Sequence, residues 1–157
     1  MSRVAVSRDE LEELYAEYGD VIDGGALERW PDLFVEPCRY RIVSKENYDR
    51  GLPLSLMLCE SLGMLRDRAL ASRKLNVYAP RTWRHSITQI RGLVDGEGIS
   101  AQANFAIFET LQDQPTQILC TGRHLDKLAW SPAGLRFREK TCVYDSTLIP
   151  GSIVFPL

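Results

Sequence analysis

From residue 84 to residue 144 the chain reads as long strands joined by tight reversals, and this run limits the available folds more than any other feature. Residues 86–94 lead into Asp95-Gly96-Glu97-Gly98, a hairpin signal because glycine reaches the backbone angles a tight turn requires. Beyond it Ile99, Ala101, Ala103, Phe105, Ile107 and Leu111 alternate with Ser100, Gln102, Asn104 and Thr110, the two-residue period of a half-buried strand. A turn near Asp113-Gln114-Pro115 precedes residues 118–130, and Ser131-Pro132-Ala133-Gly134 reverses the chain into residues 135–144. There simple alternation predicts Leu135, Phe137, Glu139, Thr141 and Val143 on one face, with Arg136, Arg138, Lys140 and Cys142 on the other.

The first half has a different period. Ser7 stands three residues before Glu10, the spacing of a capping box. Leu11, Leu14, Tyr15, Tyr18, Val21 and Ile22 then recur at helical spacing, and Gly24-Gly25 ends the helix. Trp30-Pro31-Asp32-Leu33-Phe34 turns the chain into a strand over 38–43, where Cys38, Tyr40 and Ile42 alternate with Arg39 and Arg41. A polar loop is expected over 44–51, and the apolar run 52–59 suits either a strand or a helix. Ser61 can cap a second helix carrying Leu62, Leu65, Ala69 and Leu70, and residues 76–84 read as an irregular connection. Helices followed by hairpin-linked strands make an α+β fold with N-terminal helices packed on a curved antiparallel sheet. A sheet bent around its helices resembles the cystatin-like cone of the nuclear transport factor 2 (NTF2-like) class. At 157 residues the chain suits a single domain spanning 1–157.

Composition narrows the partners. A net charge of −2 argues against nucleic acid. The run 52–59 is far too short to cross a bilayer, and the first seven residues lack a signal-peptide core, so a cytoplasmic protein without a membrane partner is expected. Cys38, Cys59, Cys120 and Cys142 are widely spaced and read as reduced, buried thiols. Residues 1–36 carry ten acids against three arginines, whereas residues 66–91 carry seven bases against Asp67. These are either solvated faces or complementary docking surfaces. The tail ends Ile153, Val154, Phe155, Pro156, Leu157, with no charge after Asp145, and so is expected to pack against its own domain or a partner chain.

Catalytic equipment is sparse: two histidines and no glycine-rich phosphate loop, nucleophile elbow or zinc spacing. His124-Leu125-Asp126 places two potential iron ligands on one strand face, and His85 could complete a triad. A hydrogen-bonded structural pair accounts for the same residues, so no metal or cofactor site is assigned. His85, next to Trp83 and Arg84 at a strand entrance, could act as a base with Asp126 or Asp145. That is the alternative reading: a stand-alone dehydratase, isomerase or small-molecule binding protein using His85 and a cone carboxylate. No catalytic residue is assigned otherwise.

Several segments together resemble the small (β) subunit of bacterial aromatic-ring-hydroxylating dioxygenases, from about Leu14 to Leu157. They are Trp30-Pro31-Asp32-Leu33-Phe34 with Cys38-Arg39-Tyr40, Glu46-Asn47-Tyr48 leading to Gly51-Leu52-Pro53-Leu54, and Met64-Leu65-Arg66-Asp67-Arg68. Arg84-His85-Ser86, Gly122-Arg123 through Asp126-Lys127, and Val143-Tyr144-Asp145-Ser146 continue the series. Tyr144-Asp145-Ser146, Ile149-Pro150 and Pro156-Leu157 look most like the small subunits of salicylate 5-hydroxylase and terephthalate dioxygenase. The resemblance implies a non-catalytic subunit without cofactor, bound to a large α subunit and to itself as a β trimer in an α3β3 assembly. It places a Rieske [2Fe-2S] cluster and a mononuclear Fe(II) in the α chain, with NADH supplying electrons through a reductase. It also implies a role in catabolism of an aromatic carboxylic acid such as salicylate or terephthalate.

Overall fold

The structure is a computed structural model that describes residues 5–74, 80–149, 153 and 155–157. Helix α1 (Arg8–Asp23) begins at the expected capping box: the Glu10 amide donates to Ser7 Oγ at 3.2 Å and the Ser7 amide donates to Glu10 Oε2 at 2.9 Å. Its apolar stripe, Leu11 to Ile22, is buried against the sheet. A 3-10 helix (Leu27–Leu33) then carries Trp30 into the core, where its ring meets Tyr40 edge-on at 4.9 Å between centroids.

Strand β1 (Phe34–Ser44) follows, then a short helix α2 (Lys45–Asp49), strand β2 (Met57–Cys59) and helix α3 (Leu62–Lys74). The expected polar loop over 44–51 therefore contains a turn of helix, because Ser44 Oγ caps it by accepting from the Asn47 amide at 3.2 Å. The ambiguous run 52–59 becomes a strand only over its last three residues. Ser61 caps α3 as expected, accepting from the Met64 amide at 3.1 Å.

Four long strands complete the chain: β3 (Arg81–Asp95), β4 (Gly98–Leu111), β5 (Gln117–Ser131) and β6 (Gly134–Tyr144). The sheet order is β2-β1-β6-β5-β4-β3. Every neighbouring pair is antiparallel except β1 with β6, which run parallel. The α+β cone is thus the observed fold, with one parallel joint where the first strand meets the last. The sheet bends at register breaks, one of them between Thr88 and Arg91, where Gln89 takes φ +53°.

Two expectations change. Residues 81–84 are strand rather than irregular, since Arg81 pairs with Leu111 and Trp83 with Glu109; residues 76–79 lie outside the described residues. Glu109 occupies an inward position on β4 and is buried, held by Trp83 Nε1–H at 2.8 Å and Arg81 Nη1 at 3.1 Å. On β6 simple alternation fails. Lys127 faces Glu139 but Leu128 faces Phe137, so Arg138 is an extra residue in a bulge. Leu135, Phe137, Lys140 and Cys142 all point inward as a result, and Lys140, expected on the outer face, has no exposed surface.

Candidate functional site

Besides the buried Glu109, three groups of polar side chains among the described residues bear on a possible site inside the cone. In the first, α1 supplies Tyr15, β5 supplies Asp126 and β6 supplies Lys140. Lys140 Nζ donates to Asp126 Oδ2 at 2.9 Å, and Tyr15 Oη donates to the same oxygen. Both ionic side chains are fully buried. The ammonium also lies 4.2 Å from the ring centre of Phe137, 4.4 Å from that of Tyr18 and 4.8 Å from that of Tyr15. A cation removed from water is here solvated by one carboxylate and three aromatic faces. Burial raises the Asp126 pKa, while the Lys140 charge and the bond from Tyr15 oppose that shift. Burial also raises the Tyr15 phenol well above its ordinary range.

The second group is His85 with Asp23. His85 Nδ1–H donates to Asp23 Oδ1 at 2.6 Å and the His85 amide donates to Asp23 Oδ2 at 2.7 Å. The partner acid therefore comes from the last turn of α1, 62 residues away, and not from Asp126 or Asp145. Asp126 is committed to Tyr15 and Lys140, and Asp145 accepts from Thr121 Oγ1 at 2.9 Å. A cavity of about 460 Å³ lies along this seam, bounded by Arg8, Glu12, Asp23, His85 and Gln89. The imidazole of His85 is nonetheless only 1% exposed. Nothing in the local sequence announces the Asp23 contact, which arises from packing of α1 across β3.

The third group surrounds Leu157, which is completely buried. Its amide donates to Tyr40 Oη at 2.9 Å, and its carbonyl oxygen accepts from Tyr18 Oη and from Cys142 Sγ at 3.1 Å. Phe155 meets Trp83 edge-on at 5.2 Å. The end of the tail thus packs against its own chain, the first of the two expected alternatives, and residues 150–152 and 154 lie outside the described residues. Burial pushes the Cys142 thiol up to about 12 and raises both phenols, so all three groups are held neutral, Tyr18 and Cys142 as donors and Tyr40 as the acceptor of the Leu157 amide.

His124 sits between these groups, stacked on Phe105 with 4.6 Å between ring centres. Among the described residues no three His, Cys, Asp or Glu side chains come together to hold a metal. Burial, and then the Lys140 charge, lower the His124 pKa well below 6.5. The unfolded chain therefore takes up this proton before the folded one. The stabilisation is complete above the unfolded pKa of about 6.5 and is lost as pH falls, at up to about 1.4 kcal/mol per pH unit. Asp126, raised from 3.8, acts with the opposite sign. Denaturant titrations between pH 7 and pH 5 are expected to show a falling midpoint for the parent chain and a flatter one for His124→Phe. Equal slopes for the two would show that His124 does not set this dependence.

The bent sheet closed over α1, with polar groups turned inward, defines an NTF2-like cone protein. A comparison with protein-family models gives no match. The sequence is 32% identical over 149 residues to the anthranilate 1,2-dioxygenase small subunit of Burkholderia cepacia, covering 94% of this chain and 92% of that one. It is 31% identical to a β subunit of the terephthalate 1,2-dioxygenase terminal oxygenase component from a Comamonas species, over 90% and 93% of the two chains. A crystal structure described as the β subunit of an aromatic-ring-hydroxylating dioxygenase from Novosphingobium aromaticivorans superposes with a TM-score of 0.85. It has 36% identity and 96% of each chain is covered. The chain belongs to the family of small (β) subunits of aromatic-ring-hydroxylating dioxygenases.

Proposed function

We propose that this chain acts as one domain over residues 1–157 and serves as the structural subunit of a ring-hydroxylating oxygenase, bound to a large α subunit in an α3β3 assembly. Its own residues carry no catalytic step: the four thiols and the phenols of Tyr15, Tyr18 and Tyr40 are buried, and the imidazole of the His85–Asp23 dyad is almost fully enclosed. The Rieske [2Fe-2S] cluster and the mononuclear Fe(II) belong to the α chain, with NADH feeding electrons through a reductase. The substrate is an aromatic carboxylic acid, the class named in the anthranilate and terephthalate relatives, and the assembly works in the cytoplasm. Among the described residues no helix is long and apolar enough to cross a membrane.

The kinship over nearly the whole chain carries this reading. The surface supports it. Leu54, Leu56, Leu93, Ile118 and Leu148 are each more than half exposed, an apolar investment suited to contacts with other subunits. The fifteen-residue β3 is also a sheet edge, with main-chain groups available to a neighbour.

Co-expression with a large chain bearing Cys-x-His and Cys-x-x-His cluster ligands tests the proposal. The two chains are expected to co-elute, and only the complex should consume oxygen with NADH, reductase and an aromatic acid. The chain purified alone should hold no iron. Stoichiometric iron in the isolated chain, or its failure to co-elute with the large one, overturns the reading.

A further inference from the structure

The way the cone holds Leu157 differs from ordinary core packing. Buried backbone groups are normally satisfied by other backbone groups in helices and sheets. Here the amide and an oxygen of one residue are met by side chains from three separate elements. Tyr40 of β1 accepts the N–H, while Tyr18 of α1 and Cys142 of β6 donate to the oxygen. The Leu157 side chain is enclosed with them, and Phe155 packs on Trp83 of β3. An acceptor for an amide, two converging donors for a carbonyl and a closed apolar surround are the components of a small-molecule site.

The partner groups also require an occupant. Tyr18 and Tyr40 have no exposed surface, and neither does Cys142. Two phenols and a thiol deprived of Leu157 would keep only one another: a 3.4 Å contact between the two hydroxyls and a 3.6 Å contact from the thiol to Tyr40. Such long contacts satisfy buried polar groups poorly, so an emptied cone would favour any molecule able to restore the lost bonds.

We infer that the cone interior is a ligand site for a short apolar peptide-like molecule, one with an amide N–H and a carbonyl oxygen beside a branched aliphatic group, and that Phe155, Pro156 and Leu157 of this chain occupy it. The site takes acylated amino-acid-like compounds of about the size of an acylated leucine, whose carboxyl or carbonyl oxygen Tyr18 and Cys142 receive. It does not depend on the chain's role as an oxygenase subunit. Failure of α-subunit binding would leave it standing, and its own failure would leave the assembly reading standing.

The test supplies the occupant from outside. Full-length chain carrying Leu157→Asp, whose carboxylate is disfavoured in that enclosure, is compared with a chain lacking residues 155–157. The probe is the synthetic tripeptide acetyl-Phe-Pro-Leu, with acetyl-Phe-Pro-Asp as control. Both variants are expected to melt lower than the parent. The leucine tripeptide should raise Tm saturably by several degrees, through preferential binding to the folded state, and should change tryptophan emission through contact with Trp83. The aspartate control should do neither, and the parent chain, already occupied, should not respond. If a variant does not fold unaided, it is refolded from urea with and without the leucine tripeptide, and recovery must depend on the peptide. Unchanged Tm in a folded variant, or equal refolding yields with and without peptide, overturns the inference.

Discussion

Replacing Lys140 with methionine is expected to lower the unfolding free energy by about 3–5 kcal/mol, the cost of leaving a buried carboxylate without its partner. Asp126 would keep hydrogen bonds, including that from Tyr15, but no cation, in a site where its side chain has no exposed surface. The aromatic rings of Phe137, Tyr18 and Tyr15 would also lose the cation they now face. The loss belongs to the broken arrangement rather than to the ion pair as such. Exchanging the whole set, as Tyr15→Phe, Asp126→Leu and Lys140→Met together, removes every polar group at once and is expected to recover most of the stability. Urea denaturation of the two variants and the parent decides this. A single-variant loss below about 1 kcal/mol would mean that the pair is solvated in solution.

Gly122→Ala is expected to be as damaging, for a steric reason. A Cβ at this position in β5 would stand 2.0 Å from the carbonyl oxygen of Val143, 2.8 Å from Cζ of Phe105 and 2.9 Å from Cα of Tyr144. Two of those three neighbours are backbone and cannot rotate aside. The β5–β6 pairing must open locally, so a loss at or above the upper end of the usual overpacking range, about 3 kcal/mol, is expected. Trimming the ring with Phe105→Leu should not rescue the variant, because the Val143 carbonyl remains in the way. Full rescue by Phe105→Leu would show that the ring was the obstacle.

These two positions show how far the fold could be read from its residues. The α1 stripe, its capping box and the alternation along β4 are local patterns, and each appears in the structure where it was expected. The outward arginines of β1 were equally legible. What failed were features set by distant contacts. Lys140 looked like a member of a basic outer face because only pairing with β5 shows that Arg138 is supernumerary. His85 suggested a site with Asp126, but its acid is Asp23, and the link depends on how α1 lies across β3. The tail announced through its composition that it must be covered. That Tyr18, Tyr40 and Cys142 would receive Leu157 was not legible, since those residues come from three elements with no shared motif. Periodicity records which side of an element is apolar, but it does not record which elements meet.

The bulge on β6 gives one position an unusual genetic character. The extra residue at Arg138 is absorbed by the bulge, so Phe137 before it and Lys140 after it keep the inward phase of a regular strand. Among the described residues the Arg138 side chain makes one hydrogen bond, 3.4 Å to the Glu36 carbonyl, so most substitutions there should pass with little effect. Loss of the codon keeps the same faces. It would join Phe137 to Glu139 in strict alternation, with Lys140 and Cys142 still inward and Glu139 and Thr141 outward, and what it would remove is the bulge and the bend that the bulge gives β6. Sequence variation at this point therefore acts on the curvature of the strand rather than on which side chains enter the cone.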